Sequence, residues 1–434
     1  EDTHNAVLAA AVLCQRIWDE NRVDMNKDKL RFHSNRLWNI VNMSLEGQIF
    51  QSGQLSMHAD YNAECVEVSE NLLVNAGIIP TGEGSGKTQE DLIDRAASKA
   101  VDLFPDLHDS GLLEYSDKKR AIRNNRENRN VLSAILFDED PHDPDAQNLH
   151  TLNMLAEYSS REQNVRKIMA DKINRGKDSP PVNSGCMGII LRWCYPSWYG
   201  APTDEGGARS LRLSCRRPAA QTWHKEMRRL MIAKPPAACY HLDMSAFELR
   251  IAALLSKDED AISFVSKPNP YDVLDSDNRQ AAKVALLVGI NGGTPEKAWR
   301  TAIATTGRMI SLAAVRNLPV FHWKKFREWQ QETFRLGHEG SLVLPETGLT
   351  YQHNPTRTIH DTTSFMIQGT SAIFMSKLQY KMHAMDHRVS LQVHDELIMQ
   401  SAKEWEKVKS DAAMFIRSIG YEMFMKSPFT FHLE

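Results

Sequence analysis

Near its carboxyl end the chain reads Val389-Ser390-Leu391-Gln392-Val393, then His394-Asp395-Glu396, then Leu397-Ile398-Met399. Apolar runs of strand length on either side of three polar residues predict two strands joined by a turn. Strands of this kind are buried in a sheet, so the turn and its Asp395 carboxylate are confined to the sheet's edge. A second short apolar run, Ala238 to Leu242, leads directly into Asp243, and a helical pattern follows over 245–256. Two carboxylates are thereby expected at strand edges. An aspartate at a strand end is ordinarily structural, so the surrounding residues must supply any signal of chemistry.

With 434 residues the chain exceeds one ordinary core and is expected to divide into two or three lobes. Apolar residues at 42% and charged residues at 25% fit a soluble globular protein. No run approaches the ~18 apolar residues of a membrane span. The start, Glu1-Asp2-Thr3-His4, carries no signal-peptide pattern. A cytoplasmic protein without a membrane partner is expected. A net charge of −3 argues against a mere nucleic-acid coat. Local basic clusters, Lys118-Lys119-Arg120 with Arg123, Arg126 and Arg129, and Arg209, Arg212, Arg216 and Arg217, still allow DNA binding in a channel. The six cysteines form no C-x-x-C pair, which disfavours zinc and suits reduced, buried thiols. Helical patterns are expected over 6–45, 89–104, 110–137, 149–173, 278–290, 295–305, 320–336, 369–384 and 403–419. The Asp- and Pro-rich stretch 138–148 should break structure, and 181–208 should hold loops and short strands.

Six segments taken in order carry a resemblance. Val23-Asp24 with Leu30 is followed by Arg212-Leu213-Ser214-Cys215-Arg216-Arg217-Pro218-Ala219-Ala220-Gln221. Then come Asp243-Met244-Ser245-Ala246-Phe247-Glu248-Leu249-Arg250, Arg279-Gln280-Ala281-Ala282-Lys283 with Gly292, Ile367-Gln368-Gly369-Thr370, and Gln392-Val393-His394-Asp395-Glu396. The set resembles, in order and over essentially the whole chain, the family A DNA polymerases, the bacterial DNA polymerase I-like group, in a compact form that looks phage-like. Six motifs in sequence make chance improbable.

The resemblance implies an α+β fold, the polymerase right hand with an antiparallel-sheet palm, a helical thumb and helical fingers. Residues 1–45 would be palm-associated helices, 46–173 the thumb, 174–264 the first part of the palm, 265–345 the fingers and 346–434 the rest of the palm. Asp243, Asp395 and the backbone carbonyl of Met244 would hold two Mg2+ ions, with Mn2+ able to substitute. Such hard cations suit oxygen ligands and phosphate substrates. Lys283 joins the two aspartates as a catalytic group. Arg279, Lys283, Glu248, Leu287 and Asn291 would bind the incoming dNTP. Arg279 and Lys283, four apart, share a helix face. Glu248 would exclude a 2′-hydroxyl. Primer–template DNA would meet Arg212, Gln221, Gln368, His394, Lys87 and Thr88. Arg212 and Gln221 would probe minor-groove acceptors that every correct pair offers. Glu396 would support the site from outside the metal shell.

Gly82-Glu83-Gly84-Ser85-Gly86-Lys87-Thr88 imitates a phosphate-binding P-loop, but the pattern needs glycine at 81, where Thr81 stands. The family's thumb carries a Lys-, Thr- and Gly-rich loop at this place, and the resemblance implies that Lys87 and Thr88 touch DNA phosphates. Leu287 and Asn291 occupy places where the family carries aromatics, and His360 stands where an arginine is expected. Because the polymerase region begins near residue 1, no 3′–5′ exonuclease domain is expected in this chain. A separate exonuclease or processivity factor is an open partner. The expected setting is a bacterial or phage-infected cell nucleoid, with an organelle also open. A single-subunit RNA polymerase shares the hand and both aspartates but lacks the Glu248 gate. A degenerate polymerase acting as a DNA-binding subunit is the non-enzymatic alternative.

Overall fold

The computed structural model describes residues 27–46, 48–79, 86–116, 121–169, 182–183, 190–194, 197–199, 210–216, 219–233, 235–274, 276–351 and 358–434. Val23, Asp24, residues 82–85, Lys118 to Arg120, Arg209, Arg217 and Arg357 lie outside them. Ten strands are described: β1 Gln48–Gln51, β2 Val182–Asn183, β3 Ile190–Cys194, β4 Ser197–Tyr199, β5 Ser214–Arg216, β6 Met231–Ile232, β7 Ala238–Ser245, β8 Arg388–Val393, β9 Glu396–Ser401 and β10 Thr430–Leu433. Every described pairing is antiparallel, and helices surround the sheets, so the fold class is α+β. No described helix is long and apolar enough to cross a membrane.

Packing divides the chain into two units. The first comprises Glu1–Leu55, Lys167–Asn269 and Trp323–Glu434. It holds a sheet of order β2-β3-β1-β6, a sheet of order β10-β7-β9-β8, and the β4-β5 ribbon. The 26-residue helix Ile359–Ala384 is its longest, and its buried face includes Phe365, Met366, Ile373, Phe374 and Leu378. This helix starts ten residues before the expected 369, because Thr358 and Asp361 form a capping box at its N-terminus. Gly369 lies where an added Cβ would sit 2.4 Å from Leu344 Cδ1, so a bare backbone is needed for that approach. β10 escaped the sequence reading. Its four residues give too short a pattern, and its existence depends on pairing with β7.

The second unit comprises Ser56–Arg166 and Pro270–His322. Residues expected as a thumb and as fingers thus pack together: Asn130 Nδ2 donates to Ala304 O at 2.8 Å, and the Phe104 and Trp299 rings are 6.4 Å apart. The expected boundaries near 45, 173, 264 and 345 give way to breaks at 55/56, 166/167, 269/270 and 322/323. The helix expected over 110–137 is confined to Arg126–Glu139, preceded by an isolated bridge between Tyr115 and Ile122. Asparagines divert the backbone. Asn125 caps the helix by accepting from Asn128 N at 2.8 Å, and buried Asn128 donates to Glu114 O and Arg123 O, each at 2.8 Å. The Asp- and Pro-rich stretch starts the next helix early, at Pro144, with Asp143 accepting from Ala146 N at 2.9 Å.

In the first unit, fully buried Arg250 ties three segments together. Nε donates to Ser245 O at 2.9 Å, Nη1 to Val265 O at 2.5 Å and to Pro428 O, and Nη2 to Thr430 Oγ1 at 2.9 Å. The arginine that ends the Asp243 motif therefore fastens β7 and β10 around the helix Phe247–Ser256. Arg250→Met is expected to destabilise the chain by about 3–5 kcal/mol, because buried carbonyls lose a charged donor at once. Urea unfolding of the variant and parent measures this.

Candidate active site

β7 carries the first carboxylate. Tyr240, Leu242 and Met244 are buried while His241, Asp243 and Ser245 are half-exposed, as in a strand covered on one face. Asp243 lies within the strand and not after it, paired with Glu396 of β9 and His432 of β10. The chain then turns sharply at Ala246, with φ of +49°, and enters the helix Phe247–Ser256, so Glu248 falls in the first turn. A non-glycine residue there costs about 1 kcal/mol or more, which the surrounding packing must offset.

The hairpin β8–β9 carries the second carboxylate. Val393 pairs with Glu396, leaving His394 and Asp395 as a two-residue turn with His394 at φ +53°. A positive φ is what such a turn needs to match strand twist. Met244 N–H donates to Asp395 C=O at 3.2 Å, which fixes the turn against β7 beside Asp243. Glu396, expected within the turn, is instead the first residue of β9. Its buried carboxylate accepts from Arg228 Nη2 at 2.8 Å and His241 Nδ1 at 3.2 Å. Burial pushes this carboxyl up, but the bonds and charges of His241 and Arg228 outweigh it and hold it below the ordinary range.

Arg212, Leu213, Gln221, Phe247, Glu248, Ser371, Ala372, Gln392, His394 and Asp395 line one narrow cleft. It gathers five of the expected site residues but not Asp243 or Gln368. Gln368 is one turn before Ser371 and Ala372 on the same helix. Half-buried Arg212 and Glu248 form an ion pair across the cleft. Burial lowers the Arg212 pKa, against the charge of Asp395, which raises it. Desolvation, then the charges of Arg212 and Arg228, lower the His394 pKa and favour its neutral form. Gln221 differs from expectation. Its amide donates to Leu213 O at 2.9 Å and to Gln392 O at 2.8 Å, so its donors are engaged and would have to release to meet a minor groove.

In the second unit, Arg279, Lys283, Leu287 and Asn291 recur every fourth residue along and just past the helix Arg279–Ile290. They lie on its open side, while Ala281, Ala282, Ala285, Leu286, Gly289 and Ile290 are buried. Buried Tyr271 supports the cationic end: Arg279 Cζ is 5.9 Å and Lys283 Nζ 5.7 Å from its ring centroid. Asp272 accepts from Arg279 Nε at 3.0 Å. Asn291 Nδ2 turns back to Leu287 O at 2.9 Å, so this side chain caps its own helix. Lys87 and Thr88 begin the helix Gly86–Leu103, and their side chains lie outside the described residues. The sequence reading missed the roles of Arg228, His241 and Tyr271. Their only signals in the sequence are the basic pair Arg228-Arg229, the place of His241 two residues before Asp243, and a tyrosine shortly before the helix Arg279–Ile290.

Among the described residues no three His, Cys, Asp or Glu side chains converge as a metal cage. The available donor set is two carboxylates and a carbonyl. In an antiparallel ladder a residue's N–H and C=O point to the same neighbour, so the Met244 carbonyl faces the Asp395 side of β7. This set fits a hard cation that keeps waters and takes phosphate oxygens, and would not fit a zinc site.

No protein-family model matches the chain. It is 26% identical over 239 residues to DNA polymerase I of Aquifex aeolicus (strain VF5), a match over 49% of this chain and 41% of that one. The match thus spans well under half of that relative's length. Its fold is that of the POL domain of Pol1 from M. smegmatis, solved in complex with DNA primer-template and dNTP. The TM-score is 0.60 at 17% identity, covering 94% of this chain and 70% of that one.

Arg228→Met leaves the Glu396 carboxylate buried with only His241, a loss expected to cost roughly 2–4 kcal/mol at neutral pH. The Glu396 pKa is depressed in the fold, so the stability it contributes is present above the ordinary value of about 4.3. That contribution is lost as pH falls through the folded value. The gap between parent and variant in denaturant unfolding should therefore close in acid.

Proposed function

We propose that this chain, which carries the polymerase region of a family A DNA polymerase, extends a primer 3′-end with dNTPs on a DNA template by two-metal-ion nucleotidyl transfer. One observation carries the reading: the hydrogen bond from Met244 N–H to Asp395 C=O sets the Asp395 turn beside Asp243 at one end of the central strands. In the reaction the primer 3′-oxygen forms a bond to the α-phosphorus, the bond from that phosphorus to the bridging oxygen breaks, and pyrophosphate leaves.

Asp243, Asp395 and the Met244 carbonyl would hold the metals. Bound there, Mg2+, or Mn2+ in its place, supplies Lewis acidity to the primer hydroxyl and neutralises charge on the triphosphate. Arg279 and Lys283, fixed cations on one helix face, would bind the triphosphate, with Lys283 as the catalytic cation. Arg212 keeps the Glu248 carboxylate extended across the cleft, where it takes the volume a ribose 2′-hydroxyl would need. This pair favours a deoxynucleotide substrate over the single-subunit RNA polymerase reading. The primer–template would contact Arg212, Gln368 and His394, with Gln221 bracing β8 and Lys87 and Thr88 gripping phosphates.

Primer extension with Mg2+ tests the proposal. Asp243→Ala and Asp395→Ala should each lower the rate on the order of a thousand-fold or more while duplex binding stays near the parent's. Substantial extension by either variant would remove the metal assignment. Glu248→Ala should raise the rNTP-to-dNTP ratio of kcat/KM by about 10–100-fold. An unchanged ratio would move the sugar gate to another residue.

A further inference from the structure

The hairpin that carries Asp395 is not a regular ladder. Val389 pairs with Met399 and Leu391 pairs with Ile398, so Ser390 is an extra residue, a β-bulge. Were the ladder regular from Val389 onward, Gln392 would face Glu396 and the turn would hold three residues, 393 to 395. Residues 391–393 would then present their side chains to the opposite faces. The bulge is what leaves a two-residue turn and sets Asp395 against Met244 N.

A buried bulge carbonyl needs a donor from elsewhere. The Ser390 carbonyl receives Gln48 Nε2 at 2.6 Å, and Ser390 Oγ donates to Ile398 O at 3.3 Å. Gln48 and Ser390 are both fully buried. Gln48 begins β1, in the other sheet, where it pairs with Cys194, so its position is set independently of the hairpin. Its Oε1 is buried with no partner among the described residues. An unmet buried acceptor is destabilising, so the bond from Nε2 to the Ser390 carbonyl must offset that cost. The hairpin's base is pinned separately, by buried His387 to Ser401 Oγ at 3.0 Å and to Asp411 Oδ2 at 3.1 Å. With the base fixed, the bulge alone governs the register at the tip.

We propose that Gln48 is a positioning residue whose amide holds the Ser390 bulge and, through it, the register that places Asp395. Its consequence for metal rests on the reading of Asp395 as a metal-holding carboxylate.

Gln48→Met keeps the volume and removes the donor. Three readouts are taken on the full chain: hydrogen–deuterium exchange, Mn2+ binding by electron paramagnetic resonance, and affinity for primer–template. Exchange over 391–396 and at Met244 should rise about ten-fold. The free Mn2+ at half-saturation should rise about ten-fold, as when an outer support of a metal ligand is lost. Primer–template affinity should be unchanged. Unaltered exchange at the hairpin tip overturns the proposal, as does a Mn2+ midpoint equal to the parent's. If the parent neither binds Mn2+ nor extends a primer, the polymerase reading falls, while exchange still decides whether Gln48 holds the bulge. Should Gln48→Met not fold, Gln48→Asn keeps an amide at this position but draws it back from the Ser390 carbonyl by one methylene. Faster exchange at the tip in that variant supports the proposal, and exchange equal to the parent's overturns it.

Discussion

The hydrogen bond between Met244 N–H and the Asp395 carbonyl is the point on which the site depends. It extends the β7–β9 ladder one pair beyond Asp243 and Glu396, so a turn that could swing freely becomes part of the sheet. Around it the sheet is rigid for ordinary reasons. Leu242, Leu391, Leu397, Ile398 and Met399 are fully buried, and β10 covers the other edge of β7. Arg250 secures that edge from inside, drawing the carbonyls of Ser245, Val265 and Pro428 onto one guanidinium. Two short-range polar contacts thus rest on a large apolar body, and the body keeps their geometry exact enough to matter.

The electrostatics of this edge are unfavourable in isolation. Asp243 and Glu396 face each other across neighbouring strands, and Asp395 adjoins both. Like charges placed so repel. Arg228 and His241 take up Glu396, which removes one carboxylate from the competition and depresses its pKa. Arg212 takes up Glu248 and feels the charge of Asp395. The negative side chains at this end of the sheet are thus partly balanced by Arg228, His241 and Arg212.

Local pattern made parts of this structure legible. The helix Arg279–Ile290 was readable to within one residue, because its buried alanines, Leu286 and Ile290 recur at helical spacing and leave Arg279, Lys283, Leu287 and Asn291 on the other side. The hairpin was readable because two apolar runs bracket polar residues. Residues 110–116 and 121–125 are not helical although their charges fit a surface helix, because buried Asn128 ties the Glu114 and Arg123 carbonyls together. The start of the helix Ile359–Ala384 was set too late, since His360, Asp361 and the threonines after them conceal a helix that a capping box and burial stabilise.

By itself the sequence determined the two aspartates, the order of the motifs and the side of the helix Arg279–Ile290 that carries charge. Each is written in residue type and spacing over a few positions. The tertiary structure alone decided the partners. Arg228 belongs to Glu396, 168 residues away, and Gln48 belongs to Ser390, 342 residues away. It also decided that the Gln221 amide links Leu213 to Gln392 of β8. It decided, too, that helices from 56–166 and 270–322 share one packed unit. Propensity and periodicity act over a turn or two of chain. Which buried donor meets which buried acceptor is fixed only when distant segments are packed together, since each must then be satisfied by whatever the fold brings within hydrogen-bond reach.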